Sequence, residues 1–104
     1  MKTDRELLEL AARAAFPDCA QLSYPLDWVR DCVGEWSPLT DDGDALRLAV
    51  KLELDILRFP AFGDVQVCSQ DGVADEAEST SICPYAATRR AIVRAAAAIG
   101  EQMK

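Results

Sequence analysis

Residues 52–78 read LELDILRFPAFGDVQVCSQDGVADEAE, and this stretch decides the fold class. Leu52, Leu54 and Ile56 alternate with Glu53 and Asp55, the two-residue period of a half-buried strand. Pro60 and Gly63 mark a turn, and Val65 and Val67 then alternate with Gln66 and Cys68 as a second strand. Asp71-Gly72 is a type I′ hairpin signal, which makes Val73 to Ala77 the return strand. Asp75, Glu76 and Glu78 suit a charged edge better than a sheet interior.

On both sides of this stretch the period becomes helical. Thr3-Asp4-Arg5-Glu6 is a capping box, and Leu7, Leu8, Leu10, Ala11, Ala14 and Ala15 follow at helical spacing, so a helix is expected over residues 4–15, ending before Pro17. A second helix is expected over 41–52. Thr40 or Asp41 caps it, and Asp41, Asp42 and Asp44 complement its positive end. Asp44, Arg47 and Lys51 read as its exposed face, and Ala45, Leu46, Ala49, Val50 and Leu52 as its core face. Pro84 opens the last helix. Its apolar stripe is Tyr85, Ile92, Ala96, Ile99 and Met103, widened by Val93 and Ala95, with Arg90, Arg94 and Glu101 opposite. Residues 17–38 allow two readings: a short helix opened by Pro25 and closed by Gly34, or an irregular arm with a strand near Trp28. The expected architecture is one α+β domain over residues 1–104, a short antiparallel sheet of about three strands packed with three main helices.

Composition narrows function. The net charge is −7, from 18 acids and 11 bases, which disfavours direct nucleic-acid binding and an anionic membrane surface. Residues 31–83 hold twelve acids and three bases, whereas residues 84–104 hold Glu101 against Arg89, Arg90, Arg94 and Lys104, so the middle and the end of the chain should attract. No signal peptide or membrane span is read, which points to the cytoplasm. There is no histidine, which removes Ser-His and Cys-His nucleophiles and the commonest acid/base group. Cys19, Cys32, Cys68 and Cys83 form no Cys-x-x-Cys pair and read as reduced, small apolar side chains. No catalytic residue, cofactor site or metal site is assigned.

Three constellations carry candidate roles. Asp41-Asp42-Gly43-Asp44 has the composition of a calcium or magnesium loop. Counted as an EF-hand from Asp41, however, it puts Gly43, Ala45 and Leu52 at ligand positions, so helix capping accounts for it better. Asp71, Asp75, Glu76 and Glu78 form a candidate interaction surface, read as a solvated edge or as a decoy of nucleic-acid phosphates. Arg89 lies on the apolar stripe of the last helix and needs a carboxylate, for which Asp41, Asp42 and Asp44 are the candidates. An anion site made by Arg89, Arg90 and Arg94 is the weaker reading, because Arg90 and Arg94 point elsewhere. Trp28 and Trp36 read as core or boundary residues, and Tyr24, Phe59 and Phe62 as interface residues if exposed together.

The segments WSPLTDDGDALRLAVKL (Trp36 to Leu52) and YAATRRAIVRAAAAIG (Tyr85 to Gly100) resemble a group of small proteins of tailed phages and prophages, similar to the phage ABA-sandwich domain. The resemblance implies an ABA-sandwich-like α/β fold and a phage or prophage source, and carries over no site residue. With the composition it leads to an expected non-enzymatic accessory protein that binds a host or phage protein, with a homodimer also compatible. The alternatives are an anti-CRISPR-like inhibitor of a bacterial defence system, acting as an acidic decoy, and a small nucleotide- or anion-binding protein using Arg89 and the Asp41–Asp44 turn.

If the stripe of the last helix is core, truncating Ile92 or Ile99 to Ala lowers the unfolding free energy by about 2–5 kcal/mol. Urea denaturation of the two variants reads this directly.

Overall fold

The computed structural model describes residues 2–19, 22–79 and 83–103, with the side chain of Cys19 not among them. Lys104 of the basic tail and residues 20 and 21 of the arm therefore lie outside the described residues. The elements are α1 (Asp4–Ala15), a 3₁₀ turn (Pro17–Cys19), α2 (Pro25–Cys32), α3 (Asp42–Lys51), β1 (Leu54–Phe59), β2 (Asp64–Ser69), β3 (Asp75–Ser79) and α4 (Pro84–Gln102). The fold is α+β, with an antiparallel sheet in the order β1-β2-β3.

Local chemistry explains most boundaries. The Glu6 N–H donates to the Thr3 hydroxyl and the Thr3 N–H to the Glu6 carboxylate, each at 3.2 Å, which closes the capping box of α1. Between the two readings of residues 17–38 the structure takes the helix. Pro25 opens α2, and the Val29 carbonyl accepts from both Val33 and Gly34 at its end. Asp41 caps α3 by accepting from the Asp44 N–H at 2.8 Å. The sharp exit from α3 falls on Glu53, whose φ of 54° is left-handed, and β1 follows directly.

The β2–β3 connection differs from the expected I′ turn. That turn needs positive φ at both central residues, and only Gly72, at φ 81°, supplies it. Asp71 instead accepts from the Ser69 hydroxyl (2.6 Å) and the Val73 N–H (3.1 Å), and residues 70–73 make a four-residue loop. The return strand consequently starts at Asp75 rather than Val73.

Register sorts the side chains onto two faces. Val65 and Val67 are fully buried; Arg58 and Ile56 sit opposite them on β1, Glu78 and Glu76 on β3. This inner face packs under α4, with α3 alongside over β1. On the far side of α4 lies α1, with α2 packed against it, so the layers run helix, helix, sheet. α4 is thus the central element, burying Ala87, Ala91, Ile92, Val93, Ala95, Ala96, Ala97 and Gly100 over most of its circumference.

Two expected core faces are corrected. On α3, Leu46 and Val50 are 59% and 69% exposed, while Leu48 joins Ala45 and Ala49 in the core. Asp44, expected in solvent, is mostly covered because it turns back to residue 37. On α4, Tyr85 and Met103 are exposed, Ile92 is buried and Ile99 only partly so. Arg90, Arg94 and Glu101 do not form a bare solvent face: they line the seam where α4 meets the start of α1 and β3.

α1 and α4 approach until a Cβ on Gly100 would stand 2.0 Å from the Leu10 carbonyl oxygen. Helix propensity alone makes Gly100→Ala favourable by about 1 kcal/mol. The backbone clash reverses that sign, for a net loss of about 1–3 kcal/mol. Thermal unfolding should show a Tm several degrees lower, and an unchanged or raised Tm would contradict the close contact.

Candidate functional site

Four places in the molecule gather chemistry-bearing side chains, and their hydrogen bonding separates them.

The Asp41–Asp44 turn is internally saturated. Asp41 caps the helix, and the Ser37 N–H (2.8 Å) and Arg47 (2.7 Å) both donate to Asp44. Asp42 accepts from Arg89 Nη1 at 2.6 Å, while Arg89 Nε donates to the Leu39 carbonyl at 2.9 Å. Of the three carboxylates considered for Arg89 the structure selects Asp42, and Leu39 is a second partner that sequence reasoning missed. A carbonyl acceptor has no side-chain signature, so only the chain path reveals it. The Ser37 N–H above all, helped by Arg47, outweighs the opposing effect of burial and holds the Asp44 carboxyl below its ordinary value. Among the described residues no three His, Cys, Asp or Glu side chains gather as metal ligands do.

The acidic run of residues 71–78 is dispersed. Asp71 belongs to the hairpin loop, where the Ser69 hydroxyl and then the Val73 N–H lower its carboxyl pKa. Asp75 lies on the outer sheet face and accepts from Gln66 Nε2 at 2.5 Å. Glu76 and Glu78 lie on the inner face, both paired with Arg94, which is 3.2 Å from Glu76. The run is therefore not one surface, because strand alternation sends neighbours to opposite faces and Arg94 claims two of the four.

A cleft of about 660 Å³ between α1, α4 and β3 is lined by Lys2, Asp4, Glu76, Glu78, Arg90, Arg94 and Glu101. Its charges are paired, with one negative charge in excess: Lys2 pairs with Glu101, Asp4 with Arg90 at 2.8 Å, and both Glu76 and Glu78 with Arg94. Glu101 raises the Lys2 pKa above its ordinary value. Every ionised group there has a partner, so the cleft is a docking seam for α4 and offers no unengaged base or nucleophile. Of the cysteines, Cys32 and Cys83 are exposed and Cys68 is half-buried, and all three are free thiols. Cys83 Sγ caps α4, accepting from the Ala86 N–H at 3.5 Å.

The fourth place is the outer face of the sheet, which no described element covers. Leu57 and Phe59 are exposed on it at 43% and 38%, with Ala77 beside them, and Phe62 in the following turn is 80% exposed. By register the ionisable side chains of this face are Asp55, Asp64, Asp75 and the Cys68 thiol, with no base. Phe59 and Phe62 are thus exposed on one hairpin, whereas the interface reading required Tyr24 together with them. Tyr24 is exposed at the start of α2, and Trp28 and Trp36 are half-buried around Phe16. No helix among the described residues is long and apolar enough to cross a membrane. The chain matches no family model, no curated protein and no solved structure.

Removing the Asp44 carboxylate tests the turn. Since its pKa is depressed in the folded state, its contribution is complete above the ordinary value of 3.8 and is lost as pH falls through that value towards the folded one. Asp44→Ala should cost about 1–3 kcal/mol at neutral pH. The gap to wild type should narrow below about pH 4; urea titrations at pH 7 and pH 3 read both, and a gap that widens at low pH contradicts the pairing.

Proposed function

We propose that this chain is a non-enzymatic phage or prophage accessory protein that works in the bacterial cytoplasm by binding a host or phage protein. The contact surface in this reading is the bare outer face of the sheet. One observation carries it: Leu57, Phe59 and Ala77 stand uncovered among Asp55, Asp64 and Asp75, with Phe62 exposed in the turn that follows. An apolar centre beside charges of one sign is the anatomy of a protein interface. Its acidic sign selects a partner with a basic rim and speeds their encounter. The phage source rests on the sequence resemblance alone.

A homodimer through this face is disfavoured, since it sets two groups of three aspartates against each other. The acidic-decoy reading keeps less support than the apolar contact, because Glu76 and Glu78 both turn inward to pair with Arg94. The nucleotide or anion reading at Arg89 is weakened in the same way by Asp42 and the Leu39 carbonyl.

The double variant Leu57→Lys, Phe59→Lys should keep its Tm within a few degrees, since exposed substitutions change stability by about 0.5 kcal/mol each. In affinity capture from host lysate it should lose the protein that wild type retains, whereas Tyr24→Lys, on α2, keeps it. Capture of the same protein by the double variant, or no capture by wild type at any salt concentration, rejects this reading.

A further inference from the structure

Among the described residues every lysine and arginine side chain but one meets a carboxylate, a carbonyl or an aromatic ring. The exception is Arg58, in a chain with 18 acids. Register explains its isolation. Val65 lies opposite Arg58, and the next residue along that row, Glu78, turns to Arg94. Arg58 faces the inner side of the sheet, where it lines a groove of about 530 Å³ between α3, β1 and the start of α4. Ile56 and Ile92 are apolar lining, with Leu46 and a 69%-exposed Tyr85 at the open walls. Val50, one turn beyond Leu46, continues the exposed apolar strip along α3. The other arginine of the groove, Arg89, is neutralised by Asp42, so the groove carries the single uncompensated charge of Arg58.

We infer that this groove binds an extended acidic and apolar segment of a partner protein, with a carboxylate on Arg58 and an adjacent apolar side chain against Leu46 and Tyr85. Charge complementarity selects the carboxylate: a guanidinium next to apolar walls binds an anion more strongly than one in open water. The form of the walls selects a chain segment. Sites for small molecules enclose most of the ligand surface, whereas Leu46 and Tyr85 stand mostly in solvent and cover one side of it. A peptide laid in a groove needs only such one-sided cover. The site lies on the sheet face opposite to the bare one and is independent of the function proposed above.

The test is peptide display. A library of random twelve-residue peptides is selected on the folded protein, and the enriched peptides are synthesised with a fluorescent label and titrated by anisotropy. The expected winners place Asp or Glu beside an aromatic or aliphatic residue. They should lose at least tenfold in affinity to Arg58→Glu, weaken with added salt, and bind Leu57→Lys as wild type does. Arg58→Glu should retain the wild-type Tm, since Arg58 has no partner to lose. Failure to enrich any peptide, winners without acids, or winners indifferent to Arg58→Glu each overturns the inference. Peptides lost only with Leu57→Lys overturn it too, while supporting the outer face. Phenylacetate binding as tightly as the best peptide would overturn it in favour of a small-molecule site.

Discussion

The contact between the Leu10 carbonyl and Gly100 sets the distance between α1 and α4, and the rest of the molecule is arranged around that distance. Both helices meet through small residues, Ala11 and Ala15 on one and Ala91 and Ala95 to Ala97 on the other belonging to the same core. Helices that approach this closely gain many weak dispersion contacts and leave no room for a larger side chain. With α1 on one side of it, α4 turns its remaining apolar surface, with Val93 and Ile92, to Val65 and Val67 of the sheet and to Leu48 of α3. A small domain thereby obtains a continuous core from side chains that are mostly alanine and valine.

The arginines of α4 then orient the layers. Arg89 reaches α3 and the chain before it, Arg90 reaches α1, and Arg94 reaches β3. Exposed pairs of this kind add little stability singly, but each specifies which carboxylate lies opposite which turn of the helix. Their consequence for function is subtraction. Glu76 and Glu78 are withdrawn from the acidic surface, while Asp55, Asp64 and Asp75 remain on a sheet face with exposed Leu57 and Phe59. Among the described residues Arg58 is left without a carboxylate on the opposite face. The two sides of one sheet thus differ, with three aspartates on the outer side and the unpaired Arg58 in the groove on the inner side, each beside exposed apolar groups, which is an arrangement suited to contacts with other proteins.

The elements with strong local signals were legible in the residues. The capping box bounded α1, Asp41 and Pro84 marked the starts of α3 and α4, and two-residue alternation placed β1 and β2. Where apolar residues fall on several sides of a helix, periodicity stops deciding. Leu46, Leu48, Ala49 and Val50 of α3 contain both a correct and an incorrect core face, and the structure buries Leu48, beside Ala15, Phe16 and Trp36. The start of β3 was misplaced because an Asp-Gly pair serves both a two-residue turn and a longer loop, and the Ser69 hydroxyl favoured the longer one.

The sequence by itself determined the α+β class, the order of the elements, the acidic balance and the need of Arg89 for an acid, because each of these depends on residues near one another in the chain. Only the tertiary structure decided that Asp42 and the Leu39 carbonyl receive Arg89, that no described element covers the outer sheet face, and that Arg58 is left over among the described residues. The physical reason is that pairing is a competition in space: forty-seven residues of chain separate Arg89 from Asp42, and which charges remain unpaired is known only when every other one has found its partner.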